Sequence, residues 1–299
     1  MKDGVRLSKI HEDKERFLKL VDQIASQTGF YTPLMEKDYY LTLILSRVHE
    51  LSENLIFKGG TCLNKIYYAY YRLSEDLDFS MRLPEPVTRG NRRKSMEHVK
   101  DKIEEFAAQF GMRVDNKENA GRNENKQYVY YFSYDSVVQP TRQTIKFEIG
   151  LRFNPIAPTE NKPIQHKFIH PFTKEPLFEG GQIACLSLKE AVSEKMRAAA
   201  LREVIAPRDF YDLDFILKKD FNLADKEVIE LFKQKLAENK GDADLKKYHV
   251  DMGRTDAEIK DMRSRIETEL FEVLTLDERK NFELDAALFR INKAMSDAK

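Results

Sequence analysis

Only two cysteines, Cys62 and Cys185, occur among 299 residues. They are too few and too far apart for a disulfide framework or a zinc site, and each is flanked by apolar residues. Buried thiols in a reducing, cytoplasmic setting follow. An excess of either charge is also missing. Fifty Lys plus Arg balance 50 Asp plus Glu, the formal charge is zero and the pI is about 7.0, which argues against a broad polyanion-binding surface. No run approaches the ~20 apolar residues needed to cross a bilayer, and mean hydropathy is -0.58, so no membrane span or membrane partner is expected. The opening MKDGVRLSKIHEDKERF lacks the apolar stretch of a secretion leader. A GxxxxGK[ST] phosphate loop is absent as well. What remains is ordinary globular material. A 41% hydrophobic fraction with 11% aromatics supports a core, and the length allows one large or two modest domains.

Apolar spacing predicts amphipathic helices over 14–25 and 36–51. A short apolar stretch at 55–57 then meets Lys58-Gly59-Gly60-Thr61, after which Leu63, Ile66, Tyr67 and Tyr70 resume a helical period, giving a strand, glycine turn and helix. Over 72–81 the pattern alternates, with Leu77 and Phe79 on one face and Asp76, Asp78 and Ser80 on the other. A proline- and glycine-bearing loop at 82–93 leads to a helix at 94–110. Strands at 127–134 and 143–151 follow as a hairpin, the second with Glu148 on its polar face. Five prolines between 154 and 181 mark the domain junction. Beyond it helices are expected at 187–202, 207–218, 225–238, about 256–274 and 277–295. The fold class is α/β (α+β): a mixed sheet with flanking helices over 1–175, then a helical domain over 176–299.

The chemistry concentrates in the front half. Residues two apart on a strand face the same side, so Asp76 and Asp78 lie roughly 7 Å apart at their Cα atoms and converge on one site. Carboxylates that close repel each other unless a cation neutralises them. A divalent ion is the natural counter-charge, because Mg²⁺ binds through a few carboxylate oxygens plus substrate phosphates. Glu148 is the candidate third acid. Gly59 and Gly60 let a phosphate approach the backbone at a helix start, where Thr61 adds a hydroxyl. Taken singly, an Asp-x-Asp strand is more often a solvated face and a Gly-Gly turn is common. Their adjacency gives them weight.

Glu36-Lys-Asp-Tyr, Phe57-Lys-Gly-Gly-Thr-Cys-Leu and Arg72-Leu-Ser-Glu-Asp-Leu-Asp-Phe together resemble the AbiEii/AbiGii group of toxin nucleotidyltransferases in the DNA polymerase β-like superfamily. The resemblance continues at Ser193-Glu-Lys-Met-Arg-Ala and Pro207-Arg-Asp-Phe-Tyr-Asp-Leu, and spans about residues 36–217. It implies triphosphate binding by Gly59, Gly60 and Thr61, and Mg²⁺ or Mn²⁺ at Asp76 and Asp78, with Glu148 where aspartate is more usual. Lys195 would contact nucleotide phosphates, with Arg208, Asp209 and Asp212 completing or bracing the site in a cleft between the domains. The implied reaction moves NMP from an NTP to an acceptor hydroxyl such as a tRNA 3′ end or another RNA, in a cell protected by a cognate antitoxin, in the setting of phage defence.

Blander readings stand beside these. Arg208-Asp209 serves equally as a helix-start ion pair, and Arg72 with Ser74 as a brace for the acidic strand. His166 and His170, bracketed by Pro163 and Pro171, are loop histidines and not a metal pair. Tyr67, Tyr68, Tyr70 and Tyr71 pack a core. Lys189 faces away from Lys195. Any RNA contact should use the basic stretches Arg89–Lys94 and Lys195–Arg208. Two rival functions use the same site: a kinase-like toxin that phosphorylates a protein hydroxyl, and a protein that binds nucleotide without turnover.

Overall fold

The computed structural model describes residues 9–170 and 172–298; the leader-free reading of the chain's first eight residues, and Pro171, lie outside them. Two compact units are present. The first comprises 1–154 with 159–185, and the second 155–158 with 186–299, so the chain divides after Cys185, past the 175/176 boundary expected above.

In the first unit, α1 (Lys14–Thr28) is capped by the Asp13 carboxylate accepting from the Arg16 N–H, and ends at left-handed Gly29. The next helix, α2 (Thr32–Arg47), buries ten of the eleven residues from Met35 to Leu45, all but Lys37. Then come β1 (Leu55–Lys58), α3 (Gly59–Cys62) and β2 (Leu77–Met81). They are followed by α4 (Arg89–Ala108), β3 (Arg113–Val114), β4 (Gly121–Arg122), β5 (Gln127–Asp135), β6 (Arg142–Gly150), β7 (Glu160–Pro163) and β8 (Gln182–Cys185). The sheet runs β3-β5-β6-β2-β1-β8-β7, with β4 also paired to β5. One face is apolar: Phe57, Phe79, Phe147, Ile145, Ile149 and Phe132 are fully buried there. Cys62 and Cys185 are free, buried thiols, as expected.

Several boundaries differ from the sequence reading. The acidic strand begins at Leu77, leaving Asp76 in the segment just before it. The helix after the glycine turn continues as a π-helix over Leu63–Tyr67 and stops, because Ala69 and Tyr70 adopt positive φ. That reversal sends the Tyr70 hydroxyl inward to Asp38 Oδ2 at 2.6 Å. At the other end, α4 starts at Arg89, earlier than expected, where Thr88 caps it.

In the second unit, α5 (Leu188–Leu201), α6 (Pro207–Leu217) and α7 (Lys226–Glu238) match their expected spans closely. The last two expected helices are each broken. They become α8 (Asp256–Ser264), α9 (Ile266–Glu269), α10 (Leu276–Asn281) and α11 (Leu284–Ser296), because Arg265 between the first two and the extended Phe282 and Glu283 between the last two leave helical geometry. Glu190, fully buried on α5, accepts from the Ile156 and Ala157 N–H groups at 2.9 and 2.8 Å and pairs with Lys235 Nζ at 2.7 Å. This single carboxylate ties 155–158 into the helical unit. Among the described residues no helix is long and apolar enough to cross a membrane.

A buried ion pair underlies the glycine turn. Lys65 Nζ lies 2.7 Å from Asp38 Oδ1, both side chains shut off from solvent, and it also donates to the Thr42 hydroxyl at 2.8 Å and the Tyr70 oxygen at 2.7 Å. Removing one partner strands a charge in the core, at about 3–5 kcal/mol. Thermal unfolding should therefore show Lys65→Ala and Asp38→Ala strongly destabilised, and Lys65→Met/Asp38→Leu much less so. Two single variants with near-parental melting would show that the pair is not needed.

Candidate functional site

Strand pairing brings the acids together. Asp78 is the direct partner of Lys58 across the antiparallel β1–β2 ladder and of Glu148 across the parallel β2–β6 ladder. Neighbouring strands lie about 4.8 Å apart, so the Asp78 and Glu148 side chains leave the sheet side by side. Asp76 is two residues before Asp78. The electrostatic consequence is large: Asp78 is pushed up to about 6 by its loss of water and by the charges of Glu148 and Asp76, against the pull of Lys146 and Lys58.

Glu148 is not idle. Its Oε2 accepts from Lys146 Nζ at 2.6 Å, and its Oε1 accepts from Gln127 Nε2 at 2.6 Å. Burial lowers the Lys146 pKa, but Glu148, Asp78 and Asp76 outweigh it and raise the ammonium above its ordinary value. Strand alternation puts Lys146 on the same polar face as Glu148, but neither Lys146 nor Gln127 carries a motif that marks its contact with Glu148. Among the described residues no three His, Cys, Asp or Glu side chains already converge as a metal ion requires, since Glu148 is turned to Lys146 and Gln127. The donor set itself, two aspartates and a glutamate on adjoining backbone positions, is the hard-oxygen chemistry that Mg²⁺ or Mn²⁺ takes, and the raised Asp78 is what a carboxylate cluster short of positive charge shows.

The glycine turn is built against these acids. Gly59 has φ +78, and a Cβ there would lie 2.4 Å from Asp78 Oδ2; a Cβ on Gly60 would lie 2.5 Å from Arg72 Nη2. Any side chain at either position collides with the site's own charged groups. The Thr61 hydroxyl is buried, donates to the Asp76 carbonyl at 2.5 Å and lies 2.7 Å from the Ser74 hydroxyl. It therefore fixes the segment carrying Asp76. Arg72 is buried too, with Nη1 donating to the Leu73 carbonyl at 2.7 Å, so Arg72 and Ser74 brace the approach to β2.

A second cluster lies in the helical unit. Lys195 on α5 sits between Asp209 and Asp212 on α6, 2.8 Å from a carboxylate oxygen of each, and all three are buried. Arg202 reaches Asp209 Oδ2 at 3.0 Å from the surface. Arg208 is half-buried at the start of α6. Lys189 turns elsewhere, pairing with Asp225 and Glu227. His166 and His170 are in loops: His166 stacks on Phe178 at 4.3 Å, lies 2.9 Å from the Phe178 carbonyl and is lowered to about 4 by burial.

The description "Nucleotidyl transferase AbiEii toxin, Type IV TA system" matches residues 43–293. The chain belongs to this family. It is a nucleotidyltransferase of the AbiEii toxin type. No curated protein matches it by sequence. Among solved structures it is similar to MenT4, a nucleotidyltransferase toxin of Mycobacterium tuberculosis, with 20% identity, a TM-score of 0.61, and 94% of this chain and 88% of that chain covered. It also matches JHP933 of Helicobacter pylori at 16% identity and a TM-score of 0.47, over 89% and 92% of the two chains. The α/β architecture is thus shared with a toxin nucleotidyltransferase.

Asp78 holds its proton more tightly in this AbiEii-type fold than in an unfolded chain, where 3.8 is its ordinary value. That preference contributes stability which is complete below about pH 4 and is lost as pH rises through about 6. At about pH 7.5 Asp78→Asn should be more stable than the parent by about 2 kcal/mol, allowing for solvent screening, with the gap closing toward about pH 4. A pH-independent gap in urea unfolding would contradict the crowded-acid description.

Proposed function

We propose that this AbiEii-family enzyme transfers a nucleoside monophosphate from an NTP to the hydroxyl of an RNA acceptor, such as a tRNA 3′ end, in the cytoplasm. A divalent ion, Mg²⁺ or Mn²⁺, would be held by Asp76, Asp78 and Glu148 and would neutralise the triphosphate while lowering the pKa of the attacking hydroxyl. The observation that carries this reading is the register of Asp78 with Glu148 beside the Gly59–Gly60 turn.

The protein's own contributions divide as follows. Gly59 and Gly60 bring backbone N–H groups up to the triphosphate at the start of a helical segment, with no side chain in the way. Thr61 orients Asp76 through its carbonyl and supports triphosphate binding from beneath. Glu148 accepts the acceptor's proton or aligns the hydroxyl, whose oxygen bonds to the α-phosphorus while the bond to the departing pyrophosphate breaks. Lys146 must then release Glu148. In the helical unit, Lys195 and Arg208 are assigned to nucleotide phosphates, with Asp209 and Asp212 holding the lysine in place. Membership of a type IV toxin–antitoxin family supports a cognate antitoxin that restrains the activity, and a part in phage defence.

Incubating the protein with RNA and α-labelled NTPs tests this. Label should enter RNA only with a divalent ion, and Asp76→Ala and Asp78→Ala should each reduce transfer to background and relieve growth inhibition on expression. Transfer of the γ label to a protein would establish the kinase-like rival, and full activity in either variant would remove the acids from the mechanism.

A further inference from the structure

The β5–β6 hairpin opens, at its strand ends, onto a cavity of about 610 Å³ lined by Arg92, Asn123, Glu124, Lys126, Arg152 and Phe153. Its walls come from the first turn of α4, the turn before β5 and the segment that leaves β6. Three of the six residues are cationic and one is acidic. Lys126 reaches Glu124 at 3.3 Å, a pair exposed enough to contribute little. Among the described residues, Arg92 and Arg152 have no acidic partner, and Arg92 Nε has no acceptor at all. Phe153 is 39% exposed, so part of its ring faces the charged rim.

The cavity communicates with the carboxylates. Asn123 Nδ2 donates to Gln127 Oε1 at 2.9 Å, and Gln127 Nε2 donates to Glu148 Oε1 at 2.6 Å. Asn123, Glu124 and Asn125 all have positive φ, a turn conformation uncommon outside glycine that holds Asn123 in this relay. Arg152, two residues past the end of β6, is four residues beyond Glu148, at most about 13 Å at ~3.3 Å per residue, or about four stacked nucleotides at ~3.4 Å each.

We infer that this cavity binds single-stranded nucleic acid, the acceptor strand a few nucleotides upstream of its reacting end. The assignment rests on the transferase reading above. Guanidinium groups without counter-charges match phosphodiester oxygens, and an exposed aromatic ring beside them takes a base on its face. A concave pocket of this size admits one splayed nucleotide and excludes a duplex. Occupancy at Asn123 also shifts the Gln127 hydrogen bond that engages Glu148, so acceptor binding and release of the third acid are linked.

Fluorescence anisotropy with a labelled single-stranded RNA dodecamer tests the assignment on the full chain. Arg92→Ala/Arg152→Ala should weaken binding at least about tenfold and lower the salt slope by about 1.4, two phosphate contacts at ~0.7 each for a single strand. Phe153→Ala should cost at least about fivefold with the slope unchanged, and Arg92→Lys/Arg152→Lys should keep the slope. Parental affinity and slope in the double alanine variant would overturn the assignment, as would a polyglutamate peptide displacing the RNA with the same arginine dependence, which would indicate protein docking. RNA binding that depends on Arg92 and Arg152, with no label transferred to any acceptor, would instead overturn the reaction and leave the pocket standing.

Discussion

Like charges on adjoining strands set the problem that the rest of the first unit solves. Asp78 and Glu148 leave the sheet from paired positions, Asp76 is two residues away, and burial together with their repulsion pushes Asp78 up to about 6. Lys146 and Lys58 offset only part of this repulsion, and the scaffold fixes each acid separately. The β1–β2 and β2–β6 ladders hold Asp78 and Glu148, Thr61 pins the Asp76 carbonyl, and Lys146 with Gln127 occupies the Glu148 oxygens. The apolar face beneath, with Phe79 between Phe57 and Phe147, supplies the packing that keeps the register from slipping. Stability lost at the site is stability made available to a bound cation.

The same constraint explains the glycines. Gly59 stands where a side chain would strike the Asp78 carboxylate, and Gly60 where it would strike Arg72. The turn is therefore as close to the acids as backbone can come. Below it, Lys65 and Asp38 form a pair cut off from water, so the short helical segment after the turn is anchored by charge as well as by packing. Burial alone would lower the Lys65 ammonium; Asp38 opposes it, and the Tyr70 and Thr42 hydroxyls complete the ammonium's contacts. This anchoring accounts for buried Asp38 in the Glu36-Lys-Asp-Tyr run, to which no role had been given.

What the sequence made legible was local. Alternation over 72–81 and 143–151 put Asp78 and Glu148 on polar faces, and the glycine pair announced the turn. The parallel pairing of β2 with β6 was not legible, because register between distant strands depends on the whole sheet. Neither was the Lys65–Asp38 pair, which joins two helical segments whose charged residues look like any solvated face. Tyr70 read as the continuation of a helix until its positive φ turned it inward, a tertiary override of spacing. In the helical unit, Lys195, Asp209 and Asp212 stood out by family resemblance, and Lys195 lies 2.8 Å from each aspartate, a pairing that their spacing in the sequence does not show. The zero net charge likewise hid local clustering: the guanidiniums of Arg92 and Arg152 line a cavity linked through Asn123 and Gln127 to the acidic group around Asp78.

The proposed reaction requires Asp76, Asp78 and Glu148 to act as one cation-binding unit. Titration with Mn²⁺, followed by loss of the free ion's paramagnetic resonance signal in the presence of NTP, measures this most directly. The parent should bind saturably, Asp76→Ala and Asp78→Ala should lose binding, and Glu148→Gln should bind more weakly. Undiminished Mn²⁺ uptake by all three variants would contradict this requirement.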